Sequence, residues 1–562
     1  MSVIVTKAKD QIEKIINDAV LKAVEKGELE AAELNPFKID VPQNREHGDY
    51  AVNAAMVWSK AFRNNPRKIA EILSSNFDFS NTYIDRFEIA GPGFLNFFLS
   101  DKYYADIIAD VKAKGEEYGK SNYGEGKKVL VEFVSANPTG PMHIGNARGG
   151  ALGDCLASVM SAAGYKTERE FYINDAGNQI EKFATSLELR YLQLYKEGIE
   201  MPEDSYHGED IINHAKAFAE INGDSFVNVE DSKRRKALVD FALPKNIQSL
   251  KDDLLKYRIE YNTWFKESSL HQNGETARII ELLKKSGHTY TQDDAVWFKA
   301  TDFGCDKDFV LVRANGIPTY VVPDIAYHYN KLVTRGFDKA IDVLGADHHG
   351  YVPRLKAALT ALGVDADKLD VLLMQMVRLV RNGEVIKASK RSGKAITLVT
   401  LLDEVPIDAA RFFFNLREPN SHFDFDLDLA VEQTNQNPVY YVQYAHARIC
   451  SIIRNLSAEG VQMRDCTADE LCKLTAPEER ELILHIAEFT NEIIMSAKTY
   501  DPAKMTHYVV ELATKFHKFY NACRVKGEEE SLMQARLNLC DATATVIRNV
   551  LSMLKISAPE SM

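Results

Sequence analysis

Residues 131–154 read VEFVSANPTGPMHIGNARGGALGD, and the change of periodicity inside this stretch decides the fold. Lys128 to Val134 form a short, β-rich apolar run, the loop SANPTGPM follows, and then Ala147, Ala151, Cys155, Val159 and Ala163 recur every four residues beside Leu152, Leu156 and Met160. The period has moved from that of a strand to that of a helix. Apolar β residues return at Arg169 to Ile173. Strand, loop, helix and strand in that order predict a βαβ unit, and with it a parallel, doubly wound α/β sheet. The same stretch places His143 and the pair Gly145-Asn146 where a strand's carboxyl end turns into a helix N-terminus. Unpaired backbone N–H groups and the helix dipole favour phosphate there, and Gly140 and Gly145 let the backbone approach closely. Taken alone, the tetrapeptide is equally a loop histidine with capping glycines.

Upstream of this unit, Ile12, Ile15, Ile16, Ala19, Val20 and Ala23 form one buried helical stripe, and FEIAGPGFLNFFLS reads as strand. Together they predict an N-terminal α+β module over residues 1–118, closed by the turn Tyr123-Gly124-Glu125-Gly126 that leads into a second domain, residues 119–435. The more polar, helical segment from about Arg190 to Gly287 is expected to be an insertion between two halves of the sheet, completed by strand-like runs at FVLVRANGIPTYVVPD and AIDVLGADHHG. Beyond Asn435 the pattern is helical: Val509, Leu512, Ala513, Phe516, Phe519, Tyr520 and Cys523, then Leu539, Val546, Val550 and Met553, predict an α-bundle over 436–562.

A chain of 562 residues exceeds what one hydrophobic core supports, which agrees with several domains. No segment approaches the roughly 18 uninterrupted apolar residues of a membrane span, and the run Val3-Ile4-Val5 is too short for a secretory signal. The seven cysteines are scattered without CxxC spacing, so packing roles in a reducing compartment are expected rather than disulfides or a zinc ribbon. A net charge of −13 opposes unspecific binding to nucleic acid, but screening makes local patches decisive. One such patch runs from Arg378 to Lys394, where six basic residues face the single acid Glu384. A solvated loop is the plainer reading of it.

That patch contains IKASKRSGKAITL, residues 386–398, a Ser/Gly/Lys loop able to close on a polyphosphate. About 240 residues apart, on opposite halves of the expected sheet, the HIGN and KASKR segments resemble the HIGH and KMSKS signatures of class I aminoacyl-tRNA synthetases. FYINDAGNQ, TYVVPDIAYH, LGADHHGYVPR and NPVYYVQYAHAR resemble, in order, blocks of the arginyl-tRNA synthetases of bacterial type. Asn146 departs from the second histidine of HIGH, and Ala388 and Arg391 depart from KMSKS, whose second lysine is matched by Lys390.

The resemblance implies a Rossmann-like catalytic domain that activates L-arginine with ATP and esterifies it to the terminal adenosine of tRNA(Arg), with tRNA bound before activation. It implies a monomer in the cytoplasm, with Mg2+ arriving only with ATP and no protein-bound zinc. His143, Asn146, Lys387 and Lys390 are the expected catalytic residues. With Gly140 and Gly145, and with Gly345, Asp347 and His348 beside the adenosine, they are expected to form the ATP site. Adjacent His348 and His349 point to opposite faces of a strand and lack a third ligand at useful spacing, so zinc is not expected there. Glu132, Asn137, Tyr320 and Asp324 are implied as the arginine pocket. A planar guanidinium requires carboxylates in fork geometry, and Glu132 interrupts an apolar strand. Locally, Glu132 also fits the solvent face of an alternating strand, and Asp324 also fits a helix N-cap before Ile325. PQNREHGDYAVNAAM and AGPGFLNFF resemble the family's tRNA-elbow domain, which puts Phe94 and Asn96 against a D-loop base, although Phe94 also fits a core position. Gln443, Tyr444 and Arg448 resemble positions of the anticodon-binding domain.

Overall fold

The computed structural model describes residues 3–42, 44–386 and 396–562, so Lys387 and Lys390 lie outside the described residues. At its centre is a five-stranded sheet, all parallel, built from β1 (Lys128–Phe133), β2 (Lys166–Ile173), β3 (Thr263–Lys266), β4 (Lys339–Gly345) and β5 (Leu369–Met374) in the order β5-β4-β1-β2-β3. The strand order reverses between β1 and β4, the place where open α/β sheets leave a crevice at their carboxyl ends. All of β1 after Lys128 is buried, as a strand covered on both faces requires. Helix α1 (Ile144–Ala162) lies close against it, because a Cβ on Gly153 would come within 2.2 Å of the Phe133 ring.

Two expectations change. The segment taken as a helical insertion does contain helices Glu209–Asn222 and Asp231–Lys256, but it returns β3 to the sheet, where Trp264 stacks on Phe171 with ring centroids 4.5 Å apart. This strand is four residues long and is recruited by that aromatic contact, which local periodicity does not register. The run FVLVRANGIPTYVVPD does not enter the parallel sheet. Phe309–Val312 joins a separate three-stranded antiparallel sheet, and Val321–Tyr329 is a helix, α2, where burial of Val321, Val322 and Ile325 overrides β propensity.

The N-terminal module is a four-stranded antiparallel sheet with helix Val3–Glu25, whose buried stripe is the one read from the sequence. The C-terminal part is helical and begins with α3 (Pro438–Ala458). It is fastened to the catalytic domain by residues 554–560. Arg411, fully buried, donates to the Leu554 carbonyl (2.7 Å), to the Tyr257 carbonyl (2.9 Å) and to Asp154 of α1. Asp408 accepts from Ser557, Arg258 donates to the Lys555 carbonyl (2.8 Å), His446 of α3 bonds the Pro559 carbonyl (2.8 Å), and Arg454 donates to that of Glu560 (2.9 Å).

Candidate active site

The crevice at the switch point is entered from β1. Val134 and Ser135 both have positive φ, 69° and 40°, an unusual conformation for a β-branched residue and one that marks a site whose surroundings impose it. The turn swings Ser135 back, so that its hydroxyl donates to Glu132 Oε1 (2.8 Å) and accepts the Tyr172 N–H (3.1 Å). The loop then passes the exposed Asn137 and reaches His143, the N-cap of α1. Asn146 caps this end: its Oδ1 accepts the His143 N–H at 3.0 Å, which leaves the amide N–H groups as the ones able to turn toward a ligand. Leu398 donates to the Met142 carbonyl (2.9 Å) and Thr397 pairs with His143 as an antiparallel bridge, so the chain just after the KASKR segment is hydrogen-bonded to the HIGN loop.

A cleft of about 520 Å³ opens here, lined by Asn137, Gly140, His143 and Asn146 and, across from them, by Tyr206, Gly208 and Asp210 of the inserted segment. Sequence reading missed these last three. Asn246 donates to the Pro138 carbonyl (2.9 Å) and is held by His214 (2.7 Å), which is why the insertion covers this loop. No motif in the insertion signals it. On the next strand, Gly345 ends β4, and the half-exposed His348 and exposed Asp347 follow at the same carboxyl edge, their side chains 3.9 Å apart.

Below the cleft lies a buried chain of charges. Glu132 on β1 and Asp342 on β4 are register partners on adjacent strands, and two carboxylates that close need a cation between them. Lys331, fully buried in a π turn that continues α2, supplies it: Nζ contacts Glu132 Oε2 and lies 2.8 Å from Asp342 Oδ1. The solvent-facing alternative for Glu132 is therefore excluded, and both its oxygens are engaged within the fold. Asp342 Oδ2 is 2.6 Å from His328 Nε2, and His328 Nδ1 is 3.1 Å from Asp324 Oδ1. Burial pushes the Asp342 carboxyl up, but Lys331 and His328 overcome it and hold it well below the usual range. Burial likewise raises Asp324, and the His328 charge again brings it below its ordinary value.

Asp324 sits in the first turn of α2, inside a helix that starts at Val321, so it is not an N-cap. Its side chain keeps 30% of its surface exposed, against 4% for His328. Tyr351 is half-buried beside it with a hydroxyl that has no well-formed hydrogen bond among the described residues, and Tyr320, largely exposed, faces the Tyr351 ring at 5.8 Å. An open carboxylate with the Tyr351 hydroxyl and aromatic rings beside it suits a planar cation.

The outer positions divide. Phe94 is 38% exposed, which excludes the core alternative, whereas Asn96 on the same face of its strand is buried. The Gln443 amide donates to Asp408 (2.9 Å) and to the Ser557 carbonyl (2.9 Å), so it belongs to the seam with the catalytic domain. Tyr444 stacks near-parallel on Tyr440 and on His517, and the Arg448 guanidinium lies 4.6 Å over the Tyr520 ring, a basic aromatic face in which sequence reading places Tyr520 only in the bundle's packing stripe and does not single out Tyr440 and His517. Of the basic patch, Arg378 is paired with Asp424 (2.7 Å) and Arg381 with Glu404. The charge neighbours that Glu384 alone could not supply come from distant sequence.

Comparison with known proteins follows the same three parts. Residues 10–99 match the arginyl tRNA synthetase N terminal domain, 108–452 the tRNA synthetases class I (R) catalytic domain, and 442–562 the DALR anticodon binding domain. The chain is 54% identical to the arginine–tRNA ligase of Acetivibrio thermocellus over 100% of both chains, and 54% identical to that of Caldanaerobacter subterraneus subsp. tengcongensis, again over 100% of both. The crystal structure of a Campylobacter jejuni protein assigned as an arginyl-tRNA synthetase superposes with a TM-score of 0.74 at 32% identity, covering 83% of this chain and 100% of that one. Thermus thermophilus arginyl-tRNA synthetase shares the fold, with a TM-score of 0.73 at 22% identity over 97% and 99% of the two chains.

Proposed function

The chain belongs to the class I arginyl-tRNA synthetases and ligates arginine to tRNA with ATP, and from that premise we propose which of its residues perform the two steps. Arginine enters with its guanidinium against Asp324, between Tyr320 and Tyr351, while Asn137 and the Glu132 end of the buried charge chain border the pocket. The arginine carboxylate then attacks the α-phosphorus of ATP, giving arginyl-adenylate and pyrophosphate, and the terminal adenosine hydroxyl of tRNA(Arg) takes the arginyl group. His143, the Asn146 amide and the backbone N–H groups at the start of α1, where Gly140 and Gly145 leave room, meet the phosphates. Gly345, Asp347 and His348 border the adenosine. Lys387 and Lys390 add positive charge as the leaving pyrophosphate develops its own. Mg2+ enters as the companion of ATP. Positioning and electrostatics supply the rate, with no covalent enzyme intermediate.

Residues 1–118, through Phe94 and Asn96, hold the tRNA elbow, and residues 436–562, through Tyr444 and Arg448, hold the anticodon; Gln443 acts by fixing that helix in place. The protein works as a monomer in the cytoplasm, and a particle of about 63 kDa in size-exclusion chromatography is expected. The observation that supports this assignment best is Asp324, a partly exposed carboxylate at one end of a buried charge chain whose other end, Glu132, bonds Ser135 in the lining of the His143 cleft. Pyrophosphate exchange with arginine, run with and without tRNA, tests it. Exchange that depends on both is expected, and exchange driven by another amino acid would overturn the pocket.

A further inference from the structure

Asp324, His328 and Lys331 follow one another down the side of α2 and its π turn that meets β1 and β4. Both ring nitrogens of His328 face acceptors. Nε2 lies 2.6 Å from Asp342 Oδ2, and Nδ1 lies 2.8 Å from the Asp324 carbonyl oxygen and 3.1 Å from Asp324 Oδ1. A neutral imidazole donates from one nitrogen only, so this geometry calls for protons on both. The charged groups around the ring are Asp324 and Lys331 on its own helix, Asp342 on β4 and Glu132 on β1; the neighbouring Tyr327 spends its hydroxyl on Glu170. Burial and Lys331 oppose the second proton, yet Asp342 and Asp324 outweigh them and push the His328 pKa up to about 10.

We propose that His328 is a positioning residue for arginine recognition: an imidazolium clamped by Asp342, which fixes the Asp324 carboxylate in the orientation that meets the guanidinium. Of the three acids in this cluster, Asp324, Asp342 and Glu132, Asp324 alone has appreciable exposed surface, and a carboxylate left to rotate would lose the fork geometry that a guanidinium demands. Lys331 lies between Asp342 and Glu132 and offsets their mutual repulsion, so the clamp is anchored in the two central strands. The inference rests on the reading of Asp324 as the guanidinium partner.

The test is aminoacylation kinetics on the full-length enzyme. His328→Gln, which is neutral and cannot serve both acceptors as a cation, is expected to raise the arginine KM about tenfold, with kcat at saturating arginine and the ATP KM within about twofold of wild type. In the double variant Asp324→Asn/His328→Gln the arginine KM should lie within about twofold of Asp324→Asn alone, because the clamp has lost what it holds. Asp342→Asn removes the acid that does most to hold the second proton and leaves burial and Lys331 to lower the ring's pKa, so its arginine KM should become pH-dependent, falling as pH is lowered from about 8 toward about 5. The wild-type KM should stay flat over that window, a measurement that decides the charge state even if a variant does not fold. A wild-type arginine KM in His328→Gln, parallel losses in every kinetic parameter, additive effects in the double variant, or a wild-type profile that titrates near pH 6.5 would each overturn the clamp. A wild-type arginine KM in Asp324→Asn would instead overturn the pocket itself.

Discussion

Replacing Asp324 by Asn removes one charge and almost no volume. Breaking a buried ion pair costs about 3–5 kcal/mol, and the 30% exposure of the Asp324 side chain argues for the lower end of that range, since water screens part of the interaction. At about 1.4 kcal/mol per factor of ten, the arginine KM should rise roughly a hundredfold. Folding should change much less. Asp324 lies inside the first turn of α2 and does not cap it, and Asn keeps an oxygen where His328 Nδ1 now finds one at 3.1 Å. What is lost is one acid near a helix N-terminus, about 0.3–1 kcal/mol, and its attraction to His328. The assay is steady-state aminoacylation over a range of arginine concentrations, with a thermal melt of the same preparation. A hundredfold rise in KM beside a nearly unchanged melt agrees with a guanidinium partner. An unchanged KM refutes it, and a collapsed melt would show that the carboxylate holds the fold rather than the substrate.

Three further outcomes follow from the residues already described. Lys390→Ala should lower kcat for adenylate formation with little change in the arginine KM, as expected of a charge that acts on the departing pyrophosphate; an effect confined to KM refutes that role. Phe94→Ala should weaken tRNA binding by about 1–3 kcal/mol while the melt is preserved, because the ring is exposed, whereas Asn96→Ala, at a buried position, should also lower the melting temperature; filter binding and calorimetry separate the two. His328 has a folded pKa raised above its unfolded value, so the stability it contributes is fully present below about pH 6.5 and is lost as pH rises toward about 10. Urea unfolding of wild type and His328→Gln should therefore give a stability gap that narrows from pH 6.5 to 9.5, and a constant gap would count against the imidazolium.

The βαβ unit was legible because β1 and α1 each carry their own period, strand-like to Phe133 and then every four residues from Ala147. What the sequence hid shares one cause, which is that the deciding contact is remote. Thr263–Lys266 is a strand because Phe171 offers Trp264 a ring, and Tyr206 and Asp210 face the cleft because Asn246 reaches Pro138. Val321 and Val322 are helical because both are buried, although their side chains favour strands. Of the two acids proposed for the pocket, Glu132 was visible as an anomaly in an apolar strand and Asp324 only through the resemblance, while their partners His328, Lys331 and Asp342 looked like ordinary residues of a helix and a strand. Only the register of β1 against β4 puts Glu132 beside Asp342.

The fastening of α3 by residues 554–560 bears on how the two ends of a tRNA are read together. Asp408, Arg258 and Arg411 on the catalytic side and Gln443, His446 and Arg454 on α3 grip the same short stretch of chain, so the seam resists swivelling from several directions at once. A molecule held this way behaves as a calliper with a set opening, in which the span between the aromatic face around Tyr444 and the cleft at His143 is a property of the protein. With the anticodon on that face and the terminal adenosine in that cleft, as proposed above, substrates would be selected by length and bend as well as by base, since a tRNA that seats its anticodon would present its terminal adenosine at one place only. Lengthening α3 by one residue would turn its far end by about 100° and advance it about 1.5 Å, enough to misplace the adenosine while leaving each binding surface chemically intact.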